Sequence, residues 1–336
     1  MRLDFIRPLY ERSGPYTSVY VGALTERDRS VQWTSLRDKA ERAGAVVPEA
    51  LEIEALRPGP GQALFATAHD VVLAERLGEP PPPLVHHSPL PHVTPMLMKR
   101  GENVPHLRVV VDHAGAEVTV FGGGSPRSAT IEAEDWPLQK TAQGGWSQKR
   151  YERAVEETWE KNTVAVAQEI DEQVRRIGAD LVLVAGEARS RSMLGDHLGT
   201  KSTDRMLMVE HGHRGDLGGF ERDVEAALDD WLDRRRAELL DRHREQDGPV
   251  GIALVARALR EGRVQALLLP GELDREVWIG EGGTQLSTDE GELRDWGVQE
   301  PVTERADSAL VRAATMTDAE LWFTGQVSDV AAVLRY

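Results

Sequence analysis

The sequence contains no cysteine among its 336 residues. This absence excludes disulfides, thiolate nucleophiles, zinc fingers and iron–sulfur clusters. Any metal ion would have to be held by the ten histidines and the carboxylates. No pattern in the sequence predicts a cofactor, and we expect none.

Long hydrophobic runs are also missing. Apolar runs such as 181–186 and 266–269 are far shorter than the roughly 20 residues that a membrane-spanning helix needs. Residues 1–14 carry too many charges for a secretory signal peptide. The sequence therefore predicts a cytoplasmic protein that does not enter a membrane.

The sequence also lacks an excess of positive charge. The 56 acidic residues outnumber the 40 basic residues, which gives a formal net charge of -16. Residues 1–100 are balanced, with 12 basic and 12 acidic residues, whereas residues 247–336 carry 8 basic and 16 acidic residues. This balance argues against a protein that coats DNA, but a neutral half with local basic patches can still meet nucleic acid.

Proline and glycine divide the chain into three predicted domains, 1–103, 104–246 and 247–336. The first ends in a proline-rich connector near 79–95, which we expect to lie extended over a surface because proline fixes φ and removes N–H donors. We expect the histidines of this connector, His86, His87 and His92, to be exposed. Helices that alternate with short apolar strands predict a mixed α/β (α+β) fold with a C-terminal α/β sandwich.

Apolar spacing predicts the main elements. In the first domain it indicates a strand at 16–21, a helix at 25–44 with Val31, Leu36 and Ala40 on one face, and a strand pair within 63–73. The central domain begins with a hairpin, 107–112 and 117–121, followed by a polar loop over 122–145. A helix of about 30 residues then extends from Trp146 to Gly178. Its apolar face is predicted at Tyr151, Val155, Trp159, Asn162, Val166, Ile170, Val174 and Ile177.

A glycine pair precedes this long helix, in the stretch Gly144-Gly145-Trp146-Ser147. By itself such a pair indicates a loop hinge, because glycine permits unusual φ values and close backbone approach. Basic residues cluster around it, and Glu152 alone opposes them. A basic loop tip on a rigid helix is suited to a narrow cavity lined by phosphates. The basic residues are Lys140, Lys149, Arg150 and Arg153.

This loop and helix resemble the central domain of the archaeo-eukaryotic class-1 peptide-chain release factors, whose hallmark is Gly-Gly-Gln followed by Ser and a basic amphipathic helix. Further landmarks occur in the family's order. They are the hairpin strand at 109–112, the apolar strand at 181–186, the glycine-rich turn at 216–220 and the helix–glycine–strand pattern at 258–269. The resemblance spans roughly 104–336, and the N-terminal segment resembles only the divergent bacterial branch.

Two departures from the family are informative. Trp146 stands where the family has its catalytic glutamine, and an indole offers one N–H donor and no acceptor with which to hold a hydrolytic water. The stop-codon motif Asn-Ile-Lys-Ser is absent from the sequence. These departures predict a factor without peptide release or stop-codon reading, although Gln143 and Gln148 flank the loop and remain possible substitutes.

The bacterial branch is related to Pelota and includes Balon-type ribosome hibernation factors. The resemblance implies a non-enzymatic factor in the aminoacyl-tRNA site, with elongation factor Tu as a possible partner and no DNA or membrane contact. The implied ribosome-binding residues, near the rRNA of the peptidyl transferase centre, are Gly144, Gly145, Trp146, Ser147, Lys149, Arg150, Arg153 and Lys140. A second basic set consists of Arg189, Arg191, Lys201 and Arg205. The alternatives are a ribosome-rescue peptidyl-tRNA hydrolase or nuclease, and a protein-binding scaffold.

Three other patterns carry no assignment. The run Gly122-Gly123-Gly124-Ser125 lacks the residues of a nucleotide-binding loop and favours a hairpin turn. His211 and His213 lack a third ligand at suitable spacing for a metal site. Glu187, Asp196 and His197 resemble an acid–base set only loosely.

Overall fold

A computed structural model describes residues 1–22, 25–100, 104–112, 115–122, 127–132, 145–213 and 218–336, with the backbone alone for 26, 127–132 and 145–159. The chain forms two compact units. One combines Met1–Glu102 with Arg235–Tyr336, and the other is Asn103–Arg234. Among the described residues, none of the helices combines the length and the apolar composition needed to cross a bilayer.

The N-terminal segment contains an antiparallel sheet in the order β3-β2-β1-β4. Thr25 begins its longest helix by accepting a hydrogen bond from the Asp28 N–H, as expected of an N-cap residue. The elements are a 3-10 helix Asp4–Leu9, β1 Tyr16–Val21, α1 Glu26–Arg42, α2 Glu49–Ala55, β2 Gly61–Ala66, β3 Val71–Leu77, β4 Leu84–Ser88 and α3 Thr94–Arg100.

The central unit follows. Its elements are β5 His106–Asp112, β6 Gly115–Phe121, β7 Arg127–Glu132, α4 Gly145–Ile177, β8 Leu181–Gly186, α5 Ala188–His197, α6 Thr200–Thr203, β9 Met206–Met208 and α7 Phe220–Glu245. The last helix continues past Arg234 into the other unit.

The C-terminal segment alternates helices and short strands, as the sequence predicts. Its strands form two small sheets, in the orders β14-β10-β15 and β12-β11-β13. The elements are α8 Ile252–Arg260, β10 Val264–Leu269, β11 Glu276–Ile279, β12 Leu286–Ser287, α9 Glu290–Asp295, β13 Val302–Arg305, α10 Ala306–Met316, β14 Glu320–Phe323 and β15 Ala331–Leu334.

One hydrophobic core joins the N-terminal and C-terminal segments. It brings Ile6, Phe65 and Leu97 together with Leu267 and Leu310, all buried. The mixed α/β fold predicted from the sequence is confirmed. The three predicted domains stay a prediction, since in the structure the first and last segments share this core.

The central sheet has the strand order β7-β6-β5-β8-β9, with β5, β8 and β9 parallel. Side chains alternate between the faces of a strand, so each face carries its own apolar cluster. Leu107, Val109 and Val111 of β5 pack in the cluster that includes α4, whereas Val110 packs with Phe220 of α7. The unit is therefore a sheet between two helical layers.

The proline-rich connector does not simply lie extended over the surface. The prediction that His92 is exposed is wrong. Its residues 84–88 are the strand β4, which pairs antiparallel with β1. The His92 N–H then donates to Ser18 Oγ (2.9 Å), and Tyr20 Oη donates to the His92 carbonyl (2.7 Å). Because its backbone groups find partners, this segment can be buried. His92 is 2% exposed, and burial lowers its pKa to about 4.

Three smaller expectations need correction. Val31 is 68% exposed, so the buried face of α1 is formed by Trp33, Leu36 and Ala40 instead. The predicted polar loop over 122–145 contains the strand β7, which pairs with β6. The sequence also predicts a loop over 280–295, but this stretch contains β12 and α9. Both missed strands are short or polar, so their alternation gives a weak signal.

Gly186, at the end of β8, occupies a position in the central sheet that has no room for a side chain. Its φ is +117°, and a Cβ atom there would lie 1.8 Å from the Val111 carbonyl oxygen on the neighbouring strand. The end of β8 therefore requires glycine in order to stay paired with β5.

Replacing Gly186 by alanine should strongly destabilise the central unit. We expect a loss of about 4 kcal/mol or more in the free energy of unfolding, because strand separation adds to backbone strain. The matched control is Gly262→Ala, where φ is +67° and nothing lies within 4 Å of the added Cβ. The control should lose only about 1 kcal/mol. Urea unfolding followed by circular dichroism measures both, and equal losses would contradict this account of Gly186.

Candidate functional site

The candidate loop leads directly into α4. This helix begins at Gly145 and has 33 residues, so the long helix predicted from the sequence is confirmed. Gly144, Lys140 and Gln143 lie outside the described residues. Trp146, Ser147, Gln148, Lys149, Arg150 and Arg153 lie in the first turns of α4, for which the backbone alone is described.

The helical repeat places most of these positions on one face of α4 and position 148 on the opposite face. Positions 146, 149, 150 and 153 are separated by three, four and seven residues and therefore share one face of α4. Position 148 lies about 200° around the axis from position 146, at ~100° per residue. The first N–H groups of a helix also have no acceptor within the helix, which favours anions at this end.

The other half of α4 is fixed to the central sheet. Val166, Ile170 and Val174 are buried against the strands. From Val166 to Trp146 the helix extends about 30 Å at ~1.5 Å per residue. Gly145 is therefore at the end of a helix whose opposite half is held in a hydrophobic core.

Asp171 joins α4 to α6, the short helix that carries Lys201 of the second basic set. Its carboxylate accepts hydrogen bonds from the Gly199 N–H (3.0 Å) and from Ser202 Oγ (2.5 Å). Gly199 is the residue before α6 and itself offers no side-chain cap. Asp171 therefore holds Gly199 and the Ser202 side chain to α4, which fixes the position of α6 and of Lys201.

The second basic set divides into two kinds of residue. Arg189 on α5 and Lys201 on α6 are exposed. Arg191 is half-buried, and its guanidinium donates to the Val209 carbonyl (2.8 Å) at the end of β9. The guanidinium of Arg205 donates to the Lys201 carbonyl (3.2 Å). The structure thus gives Arg191 and Arg205 structural contacts that their sequence spacing does not reveal.

The structure assigns no function to the three weaker sequence patterns, namely the acid–base set, the histidine pair and the glycine run. Glu187 precedes α5 and His197 ends it, which separates them by about 15 Å along the helix and excludes a shared acid–base site. His211 contacts Asp223 through both its N–H (2.8 Å) and Nδ1 (3.0 Å), and chiefly the backbone hydrogen bond lowers the pKa of that carboxyl. Residues 123–125 of the glycine run lie outside the described residues.

A buried histidine stabilises the first strand of the central unit. His106 stacks on Phe121 with ring centroids 4.6 Å apart. Its Nδ1 lies 2.8 Å from the Val104 carbonyl, and Arg108 Nε donates to its Nε2 (3.1 Å). Both bonds form only when the ring is neutral with the proton on Nδ1. Burial accordingly lowers the pKa of His106.

Comparison with known proteins defines the class of the central unit. Residues 105–249 match the family described as Bacterial archaeo-eukaryotic release factor family 2. The central part of the chain is therefore similar to a release-factor-like domain of the bacterial branch. This match confirms the resemblance inferred from the loop and the helix.

The whole chain is similar to proteins of Mycobacterium tuberculosis. The "Uncharacterized protein Rv2629" of strain H37Rv is 28% identical over 366 residues, which cover 100% of this chain and 97% of the relative. The "Uncharacterized protein MT2704" of strain CDC 1551 matches with the same identity and coverage. The similarity thus extends through the N-terminal and C-terminal segments as well as the central unit.

Solved structures also show likeness. The archaeal translation termination factor aRF1 is 15% identical over 99% of this chain and 96% of its own, with a TM-score of 0.29. Ribosome-bound archaeal Pelota is 16% identical over 100% and 96%, with a TM-score of 0.41. Dom34 of S. cerevisiae is 12% identical over 82% and 79%, with a TM-score of 0.40. At these values the likeness carries no argument about function.

Replacing Arg191 by alanine should lower the stability of the central unit. The buried Val209 carbonyl would lose its donor, which typically costs about 1–3 kcal/mol in the free energy of unfolding. Lys201→Ala, at an exposed basic residue of α6, should change stability by no more than about 0.5 kcal/mol. Urea unfolding compares the two variants, and an equal effect would show that the Arg191 contact contributes nothing.

Acidification should weaken the central unit through His106. Because its pKa is lowered in the folded state, unfolding takes up a proton, and stability that is complete above about pH 6.5 is lost as the pH falls below that value. Hydrogen exchange of peptides from β5 and β6 should therefore accelerate from pH 7.5 to pH 5, after correction for intrinsic exchange. His106→Phe should flatten this dependence, and an unchanged slope would contradict the assignment.

Proposed function

We propose that this protein binds the ribosome in the aminoacyl-tRNA site, lacks peptide-release activity, and acts in ribosome hibernation or protection. The observation that carries the proposal is the position of Trp146. In a domain that matches the release-factor family, this tryptophan lies in the first turn of α4. By resemblance of the Gly-Gly motif, it occupies the place of the family's glutamine. The proposal also implies a cytoplasmic protein.

Loss of release activity follows from the chemistry of the indole. A glutamine side chain carries both a donor and an acceptor and can hold a water molecule for attack on the peptidyl-tRNA ester. Tryptophan carries one N–H donor and no acceptor. The Gly-Gly pair and the following Ser147 are kept, so the loop retains its glycines without the group on which release depends.

Binding would use the face of α4 that contains positions 146, 149, 150 and 153. An indole stacks on any exposed nucleobase, and Lys149, Arg150 and Arg153 suit phosphates. Gly144, Gly145 and Lys140 precede this face in the chain and belong to the same proposed contact with rRNA of the peptidyl transferase centre. Because the central sheet holds the other half of α4, the start of this helix would reach into a deep, narrow site such as that centre.

The second basic set would supply a separate contact. Arg189 and Lys201 are its exposed members, and we assign phosphate binding to these two. Arg191 and Arg205 would act indirectly by holding the ends of α5 and α6 against β9. Elongation factor Tu is the proposed protein partner, and the resemblance to Balon-type factors supports this part of the proposal.

The competing function is a ribosome-rescue peptidyl-tRNA hydrolase or nuclease that uses Gln143 or Gln148. Position 148 argues against it, because it lies on the far side of α4 from position 146. A rescue enzyme would release peptide or cleaved tRNA from stalled complexes, whereas the proposed factor leaves the peptidyl-tRNA unchanged.

Removal of the basic, aromatic face of α4 should strongly weaken ribosome binding. A variant with Trp146, Lys149 and Arg150 replaced by alanine should bind vacant 70S ribosomes about 100-fold more weakly, because one stacking contact and two phosphate contacts are lost. Co-sedimentation at low and moderate salt measures this affinity, with and without elongation factor Tu. A matched control, Lys161→Ala with Arg176→Ala, removes two charges from the other half of α4 and should bind normally.

Two results would contradict the proposal. Wild-type protein that fails to sediment with ribosomes at low salt would exclude ribosome binding. Peptide released from stalled complexes by the wild type, and lost in Gln143→Ala or Gln148→Ala, would establish the competing enzyme instead.

A further inference from the structure

Three side chains that are distant in the sequence meet in the unit formed by the N-terminal and C-terminal segments. His92 lies between β4 and α3, Glu272 follows β10, and Asp307 is in the first turn of α10. One nitrogen or oxygen atom from each lies within 4.8 Å of the other two. We propose that His92, Glu272 and Asp307 bind a divalent transition-metal ion of the zinc class.

The spacing of these atoms fits ligands that share an ion better than it fits an ion pair. His92 Nε2 lies 3.5 Å from Glu272 Oε2, which is longer than the ~2.8 Å of a charge-assisted hydrogen bond. Two ligands of a tetrahedral zinc ion, each about 2.0–2.1 Å from the metal, are themselves about 3.3 Å apart. Side-chain shifts well under ~1 Å would complete this geometry for the pair.

Burial gives an independent indication. The side chain of His92 is 3% exposed, and its Nδ1 has no hydrogen-bond partner within the described parts of the chain. The Nε2 atom of His86 is likewise buried and unpaired there, and its ring centroid is 5.2 Å from that of His92. Buried polar atoms without partners are rare in native proteins, and a bound ion is one explanation for the unpaired Nε2 of His86. The ligand atom of His92 would be Nε2, which faces Glu272, so an ion there leaves its Nδ1 unpaired. His86 is thus the nearest additional imidazole.

Charge at the site favours a divalent cation. Arg305 donates to Asp307 (Nε to Oδ1, 3.1 Å) and to Asp274 (2.6 Å), and its guanidinium is 3.6 Å from Glu272. One guanidinium thus faces three carboxylates, which leaves two negative charges uncompensated. A divalent ion would neutralise them.

The carboxylate of Asp307 is held in place for such a role. Asp307 is completely buried. Its Oδ1 accepts from the Ser308 N–H (2.9 Å) and Arg305 Nε (3.1 Å), and its Oδ2 accepts from the Leu273 N–H (3.3 Å) and Arg305 Nη2 (3.2 Å). An ion bound to Oδ2 would replace the Arg305 bond to that oxygen. Metal-binding carboxylates are usually fixed by such outer partners. Glu272 is about half exposed, so it offers an entry path for the ion.

The donor set selects the class of metal. One imidazole with two carboxylates suits zinc and neighbouring first-row ions, whereas calcium and magnesium prefer sites built from oxygen alone. Bound metal would connect His92 of the N-terminal segment to Glu272 and Asp307 of the C-terminal segment. Its predicted effect is therefore to stabilise their shared core, independently of any ribosome contact.

The test uses the full chain, freed of metal with a chelator that is then removed, and titrated with zinc chloride by calorimetry. We expect one zinc ion per chain and a rise of about 5 °C in the unfolding temperature at roughly 100-fold excess over the dissociation constant. Magnesium chloride should produce no such rise. Glu272→Gln should weaken zinc binding at least tenfold, because it removes an exposed ligand without burying a new group.

Two controls separate this site from adventitious binding. Glu276→Gln removes an exposed carboxylate nearby, and His213→Gln removes an exposed histidine of the central unit; both should bind zinc normally. His92→Gln should lose binding, and its metal-free circular dichroism reports whether it folds. Zinc binding that is absent, or that survives Glu272→Gln in a folded protein, would overturn the proposal.

Discussion

The packing of α4 against the central sheet is the contact on which the candidate site depends. Val166, Ile170 and Val174 hold one half of this helix in a buried cluster, and Asp171 ties the same half to α6. Because a helix is stiff over this length, fixing one half also fixes the direction of the other. The positions of Gly145, Trp146, Lys149, Arg150 and Arg153 in the first turns of α4 are therefore fixed together.

Local signals in the sequence predict the central unit well. A 3.6-residue period without glycine or proline identifies α4, and alternation identifies the β5–β6 hairpin. Trp146 is recognised as a departure because its place in the motif is set by the adjacent glycines. The proline-rich connector is misread because composition gives no information on pairing partners. Its strand β4 exists through hydrogen bonds to β1, almost 70 residues earlier.

Contacts between distant segments account for what sequence reasoning misses. His92, Glu272 and Asp307 share no local pattern, and 215 positions separate the first from the last. Arg191 belongs to a basic set by composition, yet its guanidinium is occupied by the Val209 carbonyl. In both cases the fold decides whether a polar residue faces solvent or a buried partner. The absence of cysteine indicates only that a metal would need histidines and carboxylates.

The central claim is that α4 carries Trp146 into the peptidyl transferase centre of the ribosome. Electron cryomicroscopy of the full chain bound to vacant 70S ribosomes tests it most directly. The account predicts density for the chain in the aminoacyl-tRNA site, with the start of α4 at the peptidyl transferase centre and the indole of Trp146 against rRNA. Density elsewhere on the ribosome, or α4 directed away from that centre, would contradict it.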